Sequence, residues 1–308
     1  MDYVTLAPGL PASSRLGFGC GSIMGRVGRS ESLRAIAAAL DAGIAHFDVA
    51  RLYGYGEAEA LLGEALRGRR DRVVIASKFG LAPPRAATAL RRLKPLAQAM
   101  VANIPGLRPL LRSAIGTSTR AAGRFSVDAA RASLDRSLAA LGTDHLDILF
   151  LHDCAPDDVG DELIAFLDAQ VAAGKIGAYG AATGIDAVVA LNGKRGGSML
   201  YQFGNSVCAR NAELLPGGGR HIAHSPFLGA DRLRGLCEAR PDRPSPADIH
   251  RLMLGWALAV DNVAVVLCSM LDERHLRANL DAVEHPASPP EIAALAGIAA
   301  EPIPLARP

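Results

Sequence analysis

Short apolar runs alternate with longer amphipathic stretches along almost the whole of this 308-residue chain. Several short runs are hydrophobic at consecutive positions, as in strands with two buried faces. The strand-like runs are residues 16–19, 44–48, 73–77, 146–151, 176–180, 199–203, 221–224 and 263–267. Helices are predicted at 30–42, 57–67, 127–141, 158–173, 185–191, 209–215, 246–260 and 272–283. Eight such units predict an α/β fold, a (β/α)8 TIM barrel in one domain over 1–308.

A doubly wound parallel sheet is the alternative architecture. It requires a glycine-rich turn after the first strand and an acidic residue about 20 positions beyond that fingerprint. Gly19, Cys20 and Gly21 supply a G-x-G after a strand, but no acid follows a second strand at a matching position. We therefore interpret these glycines as turns that allow close approach of the backbone.

The composition excludes several classes of function. A net charge of +2 gives no global field that favours nucleic acid. The five cysteines are scattered without a C-x-x-C pair, which argues against a metal site and indicates a reducing compartment. No apolar run is long enough to span a membrane, and the N-terminus lacks a secretory signal pattern. The sequence thus predicts a cytoplasmic protein without a metal.

Polar side chains capable of proton transfer stand where three of the strand-like runs end. Asp48 ends the second run, Lys78 follows the third and His152 follows the fourth. Tyr53 comes five residues after Asp48, in a glycine-rich turn. Because the carboxyl ends of parallel barrel strands meet at one mouth, we expect these four residues to converge there.

This set of residues suits proton transfer to a carbonyl oxygen. A tyrosine near pKa 10 is a poor acid or base at neutral pH, and a nearby ammonium lowers that pKa. Asp48 would hold Lys78 in place and keep it charged, and His152 would orient the carbonyl. No side chain can deliver hydride to carbon, so a nicotinamide cofactor is implied.

Ordered motifs at successive strands resemble those of the aldo-keto reductases over nearly the whole chain. The run D-V-A-R-L-Y-G-Y-G-E from Asp48 is similar to that family's D-T-A-x-x-Y-G-x-G/S-E. V-V-I-A-S-K ending at Lys78 resembles its third-strand lysine motif, and L-D-I-L-F-L-H ending at His152 its fourth-strand motif. The subgroup most resembled is the bacterial sugar and aldose dehydrogenases.

The resemblance implies an NAD(P)-dependent oxidoreductase acting on an aldehyde, a ketone or a sugar hemiacetal. It implies that Tyr53 is the proton donor, that Lys78 and Asp48 tune it, and that His152 orients the substrate. The cofactor-binding positions that it implies are Ala182, Thr183, Gln202, His224, Ser225, Phe227, Ser269, Arg274, His275 and Asn279.

Several cofactor positions depart from the family pattern. Ala182 and Thr183 replace the usual Ser-Asn pair, and His224 replaces the aromatic residue expected to stack on nicotinamide. Ser269 stands where a basic residue would contact the 2′-phosphate of NADP, with Arg274 and Arg277 as substitutes nearby. Both NAD and NADP therefore stay open, and we expect NAD(H) to be at least competitive.

Residues 81–125 interrupt the strand–helix rhythm as a long insertion after the third strand. The segment carries eight basic residues and no acid. It could be a solvated basic excursion, a lid over the barrel mouth, or a surface for an anionic substrate, an acidic partner or a membrane.

Two alternatives to a redox enzyme remain. The altered nucleotide positions and the acid-free segment suggest a barrel that binds cofactor and acts as a regulatory or interaction subunit. The same scaffold could also catalyse a non-redox elimination or isomerisation, with Tyr53 as the base.

Overall fold

A closed barrel of eight parallel strands forms the centre of the protein, and the computed structural model describes residues 1–81, 125–238 and 244–300. Adjacent barrel strands are neighbours along the chain, and the last strand pairs with the first. The barrel strands are β3 (Leu16–Gly19), β4 (His46–Asp48), β5 (Val74–Phe79), β6 (Leu146–His152), β7 (Ile176–Ala182), β8 (Leu200–Gly204), β9 (His221–His224) and β10 (Val263–Cys268). The predicted (β/α)8 barrel is confirmed.

Helices surround the barrel and bury their apolar faces against the outward-facing side chains of the strands. In the described ranges they are α1 (Arg29–Asp41), α2 (Ala58–Ala65), α3 (Val127–Leu141), α4 (Asp161–Ala172), α5 (Ile185–Arg195), α6 (Ala230–Glu238), α7 (Pro246–Ala259), α8 (Glu273–Glu284) and α9 (Pro289–Ala300). The main core cluster joins Ile75 and Leu149 of the strands to Leu62 and Leu134 of the helices. This outer layer fixes the strand ends that carry polar residues.

One predicted helix is wrong. The segment 209–215 forms only a short 3-10 turn, Asn211–Leu214, between β8 and β9. Asn211 donates to the carbonyl of Gly204, and Asn205 accepts from the backbone of Ala212. These side-chain bonds to the backbone compete with helical hydrogen bonds and hold the connection as a compact turn.

A small hairpin closes the amino-terminal end of the barrel. Its strands β1 (Tyr3–Val4) and β2 (Ser13–Ser14) are antiparallel. Leu6 and Leu10, between them, join the apolar cluster inside the barrel. Leu10 packs so closely over Gly177 that a Cβ at that glycine would lie 2.3 Å from it. In the described part of the chain, the hairpin covers one end of the barrel, and the cavity opens at the carboxyl ends of the strands.

The predicted insertion 81–125 lies outside the described residues except for its two ends. The rings of Phe79 and Phe125 are 6.0 Å apart at a steep angle. A Cβ at Gly80, whose φ is +108°, would lie 2.3 Å from the Phe125 ring. The end of β5 therefore contacts the residue that precedes the start of α3.

No helix in the described ranges is both long and apolar enough to cross a bilayer.

We predict opposite effects of alanine at two helical glycines. Gly63 of α2 packs on α3, and a Cβ there would lie 2.1 Å from the carbonyl oxygen of Leu141. Gly63→Ala should lower the free energy of unfolding by about 1–3 kcal/mol through overpacking. Gly193 of α5 has nothing within 4 Å of such a Cβ. Gly193→Ala should raise the free energy of unfolding by about 0.5–1 kcal/mol. Urea unfolding of both variants measures the two signs, and equal effects would contradict the close α2–α3 contact.

Candidate active site

The alternation of side chains along the strands directs polar residues at the ends of five strands into the barrel mouth. On β5, Val74 and Ala76 belong to the cluster inside the barrel, and Lys78 is the next position on the same face. The same alternation puts the ends of the other strands at this mouth: Asp48, His152, Ala182, Gln202 and His224. Three of the four predicted catalytic residues therefore occupy equivalent places in the fold.

A buried ion pair joins β4 to β5 at the mouth. The Nζ of Lys78 lies 2.5 Å from Oδ1 and 2.6 Å from Oδ2 of Asp48, and it also donates to the carbonyl of Val49 at 3.2 Å. Lys78 is only 2% exposed and Asp48 only 3%. Burial alone would lower the pKa of Lys78, but Asp48 reverses this and the pKa is raised. The lysine is therefore held as an ammonium.

Tyr53 reaches the ion pair from the 3-10 turn Tyr53–Gly56. Left-handed backbone at Gly54 and Tyr55 makes this turn tight, with φ of +57° and +59°. The Lys78 ammonium lies 5.2 Å from the centroid of the Tyr53 ring. At this distance the ammonium lowers the pKa of Tyr53, and Tyr53 in turn raises the pKa of Lys78.

The net pKa of Tyr53 differs from the sequence-based expectation. Burial raises this pKa most, and Asp48 raises it further, while the charge of Lys78 lowers it. The ammonium acts in the expected direction but does not outweigh burial. The phenol is therefore protonated at neutral pH. The ammonium of Lys78 lies where it would stabilise a phenolate.

His152 stands edge-on to the phenol, with the two ring centroids 5.9 Å apart and the planes at 89°. Burial, assisted by Lys78, lowers the pKa of His152 to about 4. Its Nδ1 is buried without a hydrogen-bond partner among the described residues. The imidazole is therefore neutral. A buried N–H without a partner is rarer than an unpaired acceptor, so we place the proton on Nε2.

Gln202 reaches across the barrel from β8 to the strand opposite. Its Nε2 donates to Oδ2 of Asp48 at 3.0 Å, which gives that carboxylate a second donor group beside Lys78. This contact assigns the amide, because the oxygen would be repelled by the carboxylate. The other atom, Oε1, is buried and has no partner in the described parts of the chain. Gln202 thus holds an acceptor that requires a donor.

A cavity of about 850 Å³ opens above this cluster. It contacts Asp48, Tyr53, Lys78 and His152 at its base. Seven of the ten predicted cofactor residues also line it: Ala182, Thr183, Gln202, His224, Ser225, Phe227 and Ser269. Arg274, His275 and Asn279 do not. The structure therefore brings the four catalytic candidates and most of the cofactor candidates into one site.

The pair that replaces Ser-Asn has only one polar side chain. Ala182 offers none, and the hydroxyl of Thr183 donates to the carbonyl of Cys154 at 2.9 Å. The Thr183 oxygen keeps its capacity to accept a hydrogen bond. The Thr183 oxygen can therefore accept a hydrogen bond from a ligand N–H, whereas its own proton already donates to Cys154.

Two strands end with the same local geometry, a histidine followed by a left-handed residue. On β6, His152 precedes Asp153, whose φ is +57°. On β9, His224 precedes Ser225, whose φ is +58°. Nδ1 of His224 and Oγ of Ser225 are 2.9 Å apart, and the imidazole is open to the cavity. The surrounding cavity walls lower the pKa of His224, so this ring is neutral too.

His250 is a residue of this region that sequence reasoning missed. Its ring stacks on Phe227 with centroids 4.2 Å apart and planes at 19°. Its Nε2 and Oδ1 of Asn279 are 2.8 Å apart, and Asn279 is buried. A histidine in the middle of α7, without a motif around it, gave no sequence signal of this link.

The two arginines proposed as phosphate contacts are paired with acids at the start of α8. Arg274 binds both carboxylate oxygens of Asp272, at 3.2 and 2.7 Å, and Arg277 pairs with Glu273. Arg274 is 86% exposed in its side chain. Exposed pairs of this kind contribute little stability, but they balance the local charge. In the described ranges, no group of three or more potential metal ligands is present.

The sequence profile described as "Aldo/keto reductase family" matches residues 15–195, more than half of the chain. Among curated proteins, pyridoxal 4-dehydrogenase of Microbacterium luteolum is 34% identical over 134 residues, or 43% of this chain and 36% of that protein. A 6-dehydroglucose reductase of Agrobacterium fabrum is 32% identical over 148 residues, or 47% of this chain and 41% of that protein. These matches thus span well under half of those relatives' lengths.

A longer match joins the chain to methylglyoxal reductase YeaE of Escherichia coli, with 25% identity over 289 residues, 87% of this chain and 84% of that protein. Among solved structures, the holo form of aldo-keto reductase AKR11C1 from Bacillus halodurans superposes with a TM-score of 0.71 at 24% identity, covering 97% and 96% of the two chains. A thermostable aldo-keto reductase bound to the inhibitor epalrestat gives 0.70 at 22% identity, covering 97% and 100%. These structures share the fold.

We predict that the stability of this protein falls between pH 6.5 and pH 4, in part through His152. Its folded pKa of about 4 lies below the ordinary 6.5, so the unfolded chain binds one more proton there within that window. Each such proton lowers the free energy of unfolding by about 1.4 kcal/mol per pH unit as the pH falls.

Replacing the imidazole tests this linkage. His152→Asn should make the pH dependence flatter than that of the wild type by about one proton. Denaturant unfolding at several pH values measures both slopes. An unchanged slope in His152→Asn would contradict the lowered pKa.

Proposed function

This chain belongs to the aldo/keto reductase family, and we propose that it is an NAD(P)-dependent oxidoreductase that interconverts carbonyl compounds and alcohols. The observation that carries the proposal is the buried Lys78–Asp48 pair beside Tyr53 and His152 at the base of an open cavity. Partial matches to sugar and pyridoxal oxidoreductases support aldehydes, ketones and sugar hemiacetals as the substrate class.

The chemistry of the cavity fits a nicotinamide dinucleotide. A carboxamide N–H₂ is the kind of donor that the unpaired Oε1 of Gln202 requires, and the Thr183 oxygen can accept a second N–H. His224 presents a flat ring to the same space. Gln202, Thr183 and His224 would hold the nicotinamide end. When bound, this cofactor supplies the hydride that no side chain can provide.

Tyr53 supplies the proton in the direction of reduction. The carbonyl carbon gains a hydride, its oxygen takes the phenolic proton of Tyr53, and an alcohol results. Because the phenol is protonated in its buried position, it is a donor at neutral pH. The phenolate left behind is stabilised by the ammonium of Lys78, which Asp48 keeps charged. Oxidation of an alcohol reverses these steps.

His152 orients the carbonyl rather than donating the proton that is transferred. A pKa of about 4 leaves the ring neutral, and with its proton on Nε2 it offers one N–H to a carbonyl oxygen. The oxygen would thus be held by the imidazole N–H and the phenol O–H together. Two donors that converge on one atom favour the charge that develops there in the transition state.

We infer that NAD(H) binds at least as well as NADP(H). The 2′-phosphate that distinguishes NADP from NAD requires cations, and Arg or Lys commonly supplies them. Ser269 lines the cavity without charge, and the nearby Arg274 and Arg277 are each neutralised by an acid. The carboxylates of Asp272 and Glu273 would also repel a phosphate at this place.

We predict that Tyr53→Phe reduces kcat by about 100-fold or more, because proton transfer contributes about that much to such rates. Dinucleotide affinity should change little, since the phenol oxygen serves the substrate. The matched control is Tyr55→Phe, the same change two residues away and outside the cavity lining. Absorbance of the reduced nicotinamide, followed with a panel of aldehydes, ketones and sugars, measures the rates.

Two results would contradict the proposed function. Unchanged turnover in Tyr53→Phe would remove the assigned role of the phenol. Wild-type protein that binds a dinucleotide but reacts with no carbonyl or alcohol would instead favour a regulatory barrel or a non-redox enzyme.

We predict that calorimetry gives an NADH dissociation constant equal to or below that of NADPH. Asp272→Asn keeps a good helix cap while freeing Arg274, and it should tighten NADPH about 5-fold with little change for NADH. Glu284→Gln, the same charge change at the other end of α8, should alter neither value. A strong preference of the wild type for NADPH would overturn the prediction.

A further inference from the structure

The formal charges that line the cavity do not balance. Among its described lining residues, the ones with a formal charge are Asp48, Lys78 and Asp153, and the lowered pKa values of His152 and His224 keep both imidazoles neutral. Asp48 and Lys78 neutralise each other at 2.5 Å. Asp153 therefore leaves one uncompensated negative charge on the described cavity wall.

Asp153 also has a backbone conformation that is uncommon for a residue other than glycine. Its φ of +57° is a conformation that glycine adopts without strain and other residues adopt rarely, aspartate and asparagine more often than most. Its N–H donates to the carbonyl of Ala182 at 2.8 Å, which fixes the turn directly after His152. The carboxylate is exposed, and it pairs with no side chain of the described residues.

The turn itself does not require a charge. Ser225 has the same left-handed conformation after the histidine of β9, and its uncharged hydroxyl bonds to that histidine. At Asp153 the side chain makes no such local bond among the described residues, so the acid adds no hydrogen bond to the turn. Asp153 instead lines the cavity directly after His152, beside which a carbonyl substrate would lie.

We propose that Asp153 is a specificity residue that disfavours anionic carbonyl substrates and favours neutral polyhydroxy or cationic ones. This inference rests on the proposed function, because it concerns the substrate of the same cavity. A carboxylate accepts hydrogen bonds from substrate hydroxyl groups and repels a carboxylate or phosphate. Selection by repulsion of the wrong substrate is a general means of specificity.

The experiment uses three benzaldehydes with a para substituent: 4-carboxybenzaldehyde, 4-(hydroxymethyl)benzaldehyde and 4-(trimethylammonio)benzaldehyde. The variants are Asp153→Asn and Asp153→Gly, because both residues tolerate a positive φ and should fold. Asp157→Asn is the matched control, since Asp157 lies in the same connection, is 97% exposed in its side chain and is not part of the cavity lining. Each compound is compared with itself across variants, so its intrinsic reactivity cancels.

Both variants at 153 should raise kcat/KM for the anionic aldehyde about 10-fold relative to the neutral one, and lower it for the cationic one. High salt should shrink these differences. Ratios that stay within twofold of the wild type in both variants would overturn the proposal. An equal effect of Asp157→Asn would also overturn it, because it would indicate a general surface charge.

Calorimetry with the corresponding benzyl alcohols gives a second readout that needs no turnover. The anionic alcohol should bind more tightly to Asp153→Asn than to the wild type, and the cationic alcohol more weakly. If the wild type reduces no aldehyde, the proposed function fails, while these binding ratios still decide the role of Asp153. Unchanged ratios would reject the role of Asp153 whatever the outcome for catalysis.

Discussion

The buried ion pair of Lys78 and Asp48 is the interaction on which the rest of the site depends. An ammonium that is 2% exposed is tolerated only with a carboxylate beside it, and removing one partner of such a pair typically costs about 3–5 kcal/mol. The pair therefore fixes the ends of two adjacent strands with respect to each other. The ring of Tyr53 lies beside the ammonium, and Gln202 donates a hydrogen bond to the carboxylate from the opposite side of the barrel. The arrangement of polar side chains at the barrel mouth therefore depends on this ion pair more than on any single reactive group.

The sequence predicted the architecture well because its strands carry two-sided hydrophobic runs. All eight barrel strands lie where those runs predict them, with ends that differ by only one or two residues. The convergence of strand-end residues followed from strand alternation and from the geometry of parallel barrels. The hairpin β1–β2, with two residues per strand, was too short for any periodic signal. The turn at Asn211–Leu214 was mistaken for a helix because its side-chain bonds to the backbone are tertiary contacts.

Site chemistry was less predictable than site position. The direction of each pairwise effect on Tyr53 could be stated from the sequence, but burial decides the net pKa, and burial depends on the folded cavity. The stack of Phe227 on His250 and the link to Asn279 join segments that are distant along the chain. Likewise, the neutralisation of Arg274 by Asp272 depends on side-chain conformation at the start of α8. The stack and the link arise from packing between elements, which no local pattern encodes.

The meeting of Phe79 and Phe125 has a consequence for how this protein can change. A loop whose ends are already joined has its closure settled by the scaffold, and the free energy of closing it grows only slowly with length. The length of the chain between these two rings can therefore change while the register of β5 and the position of α3 stay the same. Leu81, next to this junction, lines the same cavity as Lys78 and Asp48. The junction is therefore a point at which the length of the chain can change while the strand ends that carry the buried ion pair keep their positions.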